Sequence, residues 1–431
     1  NKRVPKDAFP IQSHVIARMG ELLHGADYGP LPPCTDPDPA RHRLFKAEIA
    51  QPPRMWATHP FNHEREENAK HHYLAAAGDA RSAWELFEQA EALREQVSAS
   101  LCGEAEAQAC PTEEAIARLD EAFHREPLKR AYRGVYYGRS PVRAAASPTE
   151  LCGSLEGAVS QLAALYPESL SAELEQVASL EKELALLERL RDGQFSTASG
   201  ELRHRGVSLQ KKDLPATIAA VKQELEAVQG RISAHDRLCR TAHRAAAFCL
   251  GQGWEEFLAG LTAVLHYADH SEANLRDAQR CFNNVLAMAT AARRISADDR
   301  SRVIKEAGRL YRVLEQIFEH RGALALDERL LARLEIGNWA EALGELGLLG
   351  PTSDNLGDWI DVAGSWIDHA ANLLAALRRE ALEELLECES RIAAWYRAGG
   401  TTEVAPQASR VPAEYAVLVP GQERPLQTRL D

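Results

Sequence analysis

From Ile218 onward, apolar side chains return at alternating intervals of three and four residues, and few folds can absorb that pattern. The run is Ile218, Val221, Leu225, Val228, Ile232, His235 and Cys239. Such spacing draws a narrow seam along one side of a helix, and the seam must be buried against another helix. A candidate partner lies just upstream, where Leu170, Val177, Leu180, Leu184 and Leu187 occupy heptad a and d positions as far as Gly193. The connection between the two runs, Gln194 to Lys212, contains Gly and Ser. An antiparallel, coiled-coil-like helical hairpin is the economical reading.

Helical signals dominate the rest of the chain as well. Ile11, Val15, Ile16, Met19, Leu22 and Leu23 recur at helical spacing before Gly25, which predicts a helix over 10–24. Asp38-Pro39 predicts a short helix carrying Leu44, Phe45 and Ile49. Ser82 with Glu85, and Ser147-Pro148-Thr149-Glu150, have the look of capping boxes, each opening a helix. Ser296 with Asp299 is also a capping signal, and Gly337 to Leu343 has the look of a helical-repeat turn, although no sustained fixed-period repeat is present. Strand-like alternation is nearly absent.

The expected fold is therefore all-α: a multi-helix array with the hairpin inside it and a less ordered tail at the C-terminus. Five stretches follow from the pattern: 1–80, a helical connector over 81–145, the hairpin over 146–250, a helical bundle over 251–398 and an extended Pro/Gly/Thr-rich tail over 399–431. With 431 residues, several packing units are needed, because single cores stop growing well before that length.

Composition removes some functions. A net charge of -13 argues against nucleic acid as a partner, since phosphate binding needs an excess of Lys and Arg. The longest apolar stretches, such as Phe257 to Leu265, are far short of a membrane span. The chain itself is expected to be soluble. Its eight cysteines are scattered with no C-x-x-C pair, which favours a reducing compartment and free thiols. Only Cys102 and Cys110 bracket a loop short enough to invite a bridge in an oxidising one.

One short string carries more functional information than the rest. Met55-Trp56-Ala57-Thr58-His59-Pro60-Phe61-Asn62-His63-Glu64-Arg65 resembles the T-H-P-x-x-x-x-R signature near the end of the peptidase domain in the HtpX and CAAX-prenyl-protease family of zinc metallopeptidases. The resemblance covers residues 1–80, which would form the C-terminal edge of such a domain. It implies that His59 faces the catalytic cleft, near or on the zinc, and that Arg65 anchors its loop. Pro60 would hold Thr58-His59 extended.

The departure from the family matters as much as the match. Two imidazoles one helical turn apart must grip the zinc while a glutamate activates water, and the chain has no H-E-x-x-H. The nearest string, His63-Glu64-Arg65-Glu66-Glu67, ends in Glu67. The resemblance therefore implies zinc in the complete protein and none in this chain alone. It also implies an upstream peptidase segment or membrane-anchored catalytic part as partner, a protein substrate, and a place at the cytoplasmic face of a membrane. The chain opens on Asn1 rather than Met, which fits an expected upstream segment.

Three further groups are candidates. His63, Glu67 and His71 stand at four-residue steps, and could line a solvated helix face or a metal. His266 and His270, four apart with Asp269 between, have ligand spacing but lack a third ligand; the plainer reading puts them at a helix terminus with Asp269 or Ser271 capping the next helix. Arg125, Lys129, Arg130, Arg133, Arg139 and Arg143 interleave with Tyr132, Tyr136 and Tyr137. Arg130, Arg133 and Tyr136 would lead such a strip onto anionic lipid, or else pair with acidic surface.

The functional expectation is a non-catalytic C-terminal portion of a zinc metalloendopeptidase that handles substrate or regulates access. The alternative is a helical adaptor that binds a partner protein through its hairpin.

Overall fold

A computed structural model describes residues 3–22, 41, 62–71, 82–102, 108–193, 202–205, 207–291, 296–420, 422 and 425–429. Helix dominates them, as the sequence requires. The chain divides into two compact units, Asn1–Val135 with Glu168–Ile232, and Tyr136–Pro167 with Ser233–Asp431.

Unit one begins with β1 (Arg3–Pro5), which pairs in parallel with β2 (Gln108–Cys110). Its first helices are α1 (Ala8–Leu22), α2 (Asn62–Lys70), α3 (Ala90–Cys102) and α4 (Thr112–Phe123). Asp7 fixes the start of α1, accepting from the Phe9 amide at 3.0 Å and from Arg94 of α3 at 2.7 Å. His14 and Arg18 of α1 converge on Asp120 of α4 at 2.8 and 2.9 Å.

α5 (Ser169–Arg191) and the first half of α6 (Leu214–Leu250) share an apolar core of Leu180, Leu187, Leu190, Ile218, Val221, Leu225, Val228 and Ile232. Glu173 pairs with Arg231, whereas Glu188 pairs with Lys222, so the two helices run antiparallel. In the connection between them, β3 (Leu202–His204) and β4 (Val207–Leu209) form a small antiparallel ribbon. Arg205, at φ 48°, turns that ribbon and bonds both Glu183 of α5 and Glu224 of α6.

The heptad run does not stay in one unit. α6 is a single helix of 37 residues, and the unit boundary falls after Ile232. Its last two heptad positions, His235 and Cys239, belong to unit two, where Cys239 joins Leu165 and Ala242 in a separate cluster.

Unit two is built on α7 (Trp254–Ala291), α8 (Ala297–Glu319), α9 (Glu328–Leu334), α10 (Trp339–Leu343) and α11 (Leu356–Arg397). α7 packs against both α8 and α11. Its fully buried Phe257, Leu261, Val264 and Leu265 meet a region whose other wall includes Leu374, Leu377, Leu385 and Leu386 of α11. Ser296 and Asp299 close the expected capping box, and Asn338 caps α10. The tail is extended, with β5 (Glu414–Val417) and β6 (Leu426–Arg429) pairing antiparallel. It also joins the core, since Tyr415 and Val417 are fully buried.

Two helix starts are corrected. Ser82 caps only a 3₁₀ turn, Ala83–Leu86, and α3 begins later, at Ala90. Trp84 stacks edge-on against Phe9 of α1 at 5.0 Å, a tertiary contact that overrides the local signal. Ser147 opens another 3₁₀ turn, Pro148–Leu151. Its hydroxyl meets Thr149 Oγ1 at 2.7 Å, and Glu150 accepts from the Ala146 amide, so neither closes a box. The Asp38-Pro39 helix lies outside the described residues. Cys110, Cys152, Cys239, Cys249, Cys281 and Cys388 are free thiols.

Candidate functional site

The residues on which chemistry was expected are unevenly placed. His59 lies outside the described residues. Arg65 is exposed on the first turn of α2, and His71 is exposed just past its end. Arg130 is exposed, while Arg133 takes a left-handed conformation at φ 50° and stands 3.7 Å from Glu168.

The basic and aromatic strip breaks where the units divide. Beyond that point Tyr136, Arg139 and Arg143 turn inward, while Tyr137 stays exposed. Tyr136 is buried and shares its hydroxyl with Tyr166 at 2.9 Å, Arg139 grips Asp236 at 2.5 and 2.7 Å, and Arg143 grips Asp269. These arginines are ion-pair anchors of unit two. A surface that lays all of the strip on lipid is not formed.

His266 and His270 sit at the centre of unit two. The plainer sequence reading put them at a helix end, but α7 continues unbroken past both. Asp269 caps nothing because Arg143 holds it, Nε donating to Oδ2 at 2.5 Å and Nη2 to the main-chain carbonyl at 3.1 Å. Arg378 of α11 stands 3.8 Å from the other carboxylate oxygen and donates to Glu272 at 2.8 Å.

The two imidazole rings lie 4.3 Å apart, and each takes a donor from the tail. His266 Nε2 donates to the Ala145 carbonyl at 3.1 Å, and its Nδ1 accepts from the Tyr415 hydroxyl at 2.7 Å. His270 Nδ1 accepts from the Leu418 amide at 3.1 Å. Asn274, one turn on, donates to the Ala416 carbonyl at 2.7 Å.

Burial is the main reason that both rings are neutral. It pushes the His266 pKa down to about 3, with the neighbouring His270 adding to the effect. It pushes His270 down to about 4, against the pull of Asp269. A recess of about 10 Å³ beside them, lined in part by Ser271, Asn274, Gln316, His320 and Tyr415, has room for a single water.

A second polar centre went unread in the sequence. Arg240 of α6 forms a two-pronged pair with Glu389 of α11, both bonds at 2.5 Å, and both residues are 2% exposed. Arg240 also donates to the Tyr136 hydroxyl at 3.1 Å. Burial works against the guanidinium charge, but Glu389 more than restores it and keeps Arg240 cationic. His243 lies 3.6 Å from the same carboxylate, and burial holds its pKa below the ordinary value.

What this arrangement can do follows from its occupancy. An imidazole whose two nitrogens both serve the fold, as in His266, has no lone pair for a metal and no proton to trade unless those bonds break. Among the described residues, no group of three or more His, Cys, Asp or Glu is placed to hold a metal ion. No helix among them is long and apolar enough to cross a membrane.

Arg240, Glu389, Asp236, Tyr415 and Asn274 were missed. The one available signal was a charge on an otherwise apolar helix face, such as Arg240 beside Cys239 and Ala242. Tyr415 sits in a stretch whose composition suggests only a tail. Compared with protein-family models, curated proteins and solved structures, the chain matches none.

Proposed function

We propose that this chain is the non-catalytic, helical C-terminal portion of a zinc metalloendopeptidase, with residues 1–80 at the edge of the peptidase domain. The observation that carries the reading is the string Thr58-His59-Pro60 with Arg65 six residues after the histidine. Zinc would be gripped by ligands from another segment, and His59 would stand at the cleft edge, where an imidazole can ligate metal or donate to an oxyanion. The remaining helices would handle protein substrate or control its access. A place at the cytoplasmic face of a membrane belongs to the same proposal.

The test is the encoded polypeptide with whatever segment precedes Asn1. It should carry stoichiometric zinc and hydrolyse a denatured protein substrate. His59→Ala should lower kcat/KM by about tenfold or more, with the fold unchanged by circular dichroism. A polypeptide without zinc, or a His59→Ala variant as active as the parent, contradicts the reading.

One observation favours a second reading: α5 and α6 enclose a core of their own, built from the cleanest heptads in the chain. A helical adaptor would present this pair to a partner protein. Leu225→Asp combined with Val228→Asp should then abolish partner capture while any linked peptidase stays active. Unchanged capture removes the adaptor.

A further inference from the structure

Residues 403–418 lie extended along unit two and are held largely through their main chain. The Glu403 carbonyl accepts from Trp254 Nε1 at 3.0 Å, and the Ala405 amide donates to the Gln252 carbonyl at 2.9 Å. Arg410 and Ala325 exchange both main-chain bonds, at 2.8 and 2.9 Å, as an isolated antiparallel bridge. Asn274 and His270 then hold the Ala416 carbonyl and the Leu418 amide.

The helical framework is shaped for this approach. Gly260 is the one glycine in α7, and a glycine inside a helix costs about 1 kcal/mol relative to alanine. A Cβ added there would lie 2.8 Å from the Ser409 carbonyl oxygen, a distance that real Cβ atoms do not tolerate. The glycine lets a peptide backbone lie directly on the helix.

Two side chains give the groove its selectivity. The Ser409 hydroxyl donates to Asp327 Oδ2 at 2.7 Å and accepts from the Asp327 amide at 2.8 Å. Six residues on, Tyr415 is fully buried and donates to His266. Main-chain bonds for affinity with pockets for a few side chains is how folded domains bind extended peptides. Here the bound peptide belongs to the same chain.

We propose that this face of unit two is a receptor groove for an extended peptide, with small residues at the Ala408 and Ser409 positions and a tyrosine at the Tyr415 position, occupied in cis by residues 403–418. The inference does not depend on the peptidase reading. The cis segment excludes a free peptide from the intact chain because its tether supplies a high effective concentration. Weakening the segment, without touching the groove, opens the site.

The test uses the full chain and a fluorescent synthetic peptide of residues 401–420. Ser409→Ala and Tyr415→Ala each weaken the cis segment and leave every groove residue in place. Each variant should bind the peptide at least about tenfold more tightly than the unsubstituted chain does. Bound peptide should raise the variant's Tm, and the same peptide with alanine for its tyrosine should do neither. In the unsubstituted chain, the Arg410 and Leu418 amides should exchange with deuterium at least about tenfold faster than the Leu265 amide of α7, through local release. A helical Ser409→Ala variant that ignores the peptide overturns the proposal. So does equal protection of the segment and α7, which decides the matter even where Tyr415→Ala fails to fold.

Discussion

The pair α5 and α6 in unit one, and the centre of unit two, solve the problem of holding helices together in opposite ways. In the first, apolar side chains form the entire seam and ion pairs such as Glu173 with Arg231 stay at the rim. In the second, Arg240 and Glu389 lie inside together, the carboxylates of Asp236 and Asp269 are buried beneath the half-buried Arg139 and Arg143, and neutral imidazoles receive the tail. An apolar seam draws its strength from area, and gives gradually when a methyl is lost. A buried pair depends on both members being present, since either alone is a charge without water.

That contrast sets an order of expected effects. Among substitutions the largest is Glu389→Ala, which strands Arg240 in the interior. It should destabilise unit two by about 3–5 kcal/mol, read by urea denaturation with hydrogen exchange assigning the loss to α7 and α11. A change below about 1 kcal/mol would put this pair on a par with an exposed one and erase the distinction. Next is Leu187→Ala, at a position with no exposure in the seam. It should cost unit one about 2–5 kcal/mol and leave exchange in α7 unaltered.

Acid separates the two regions further. The folded pKa values of His266 and His270 lie below the unfolded value of 6.5, so between pH 6.5 and about 4 the unfolded chain binds more protons than the folded one. The contribution of these two rings to the stability of unit two is therefore full above pH 6.5 and falls as the pH drops toward 4. A loss of about 4–5 kcal/mol by pH 4.5 is expected from the two rings together, with protection of the amides of α5 and of α6 up to Ile232 unchanged over the same range. Equal loss in both units would show that the imidazoles are not its source. The smallest effect is Arg231→Ala, whose partner pair sits at the exposed rim. It should change stability by less than about 1 kcal/mol, and a larger loss would mean that the rim carries part of the seam's work.

The same contrast explains how much the sequence revealed. Periodicity reports area, so the heptads from Ile218 to Ile232 and the helices of the array were legible, as was the Ser296 box. Buried charge leaves no period. Arg240 and Glu389 are 149 residues apart in sequence, and nothing local marks them as partners. Ser82 and Ser147 failed as helix starts because capping is a local preference and Trp84 found a partner on α1. His266, Asp269 and His270 had the spacing of ligands or a cap, but only the fold could show Arg143, Tyr415 and Leu418 already bound to them. His59, on which the peptidase resemblance turns, lies outside the described residues.

Histidine-selective ¹⁵N labelling offers the most direct test of the claim that His266 and His270 serve as neutral acceptors. Nitrogen shifts of His266 and His270, followed from pH 7.5 to 5 with and without added zinc, should show neutral rings protonated at Nε2 that neither titrate nor respond to the metal. A transition centred near pH 6.5, or a zinc-induced shift at either ring, would contradict the account.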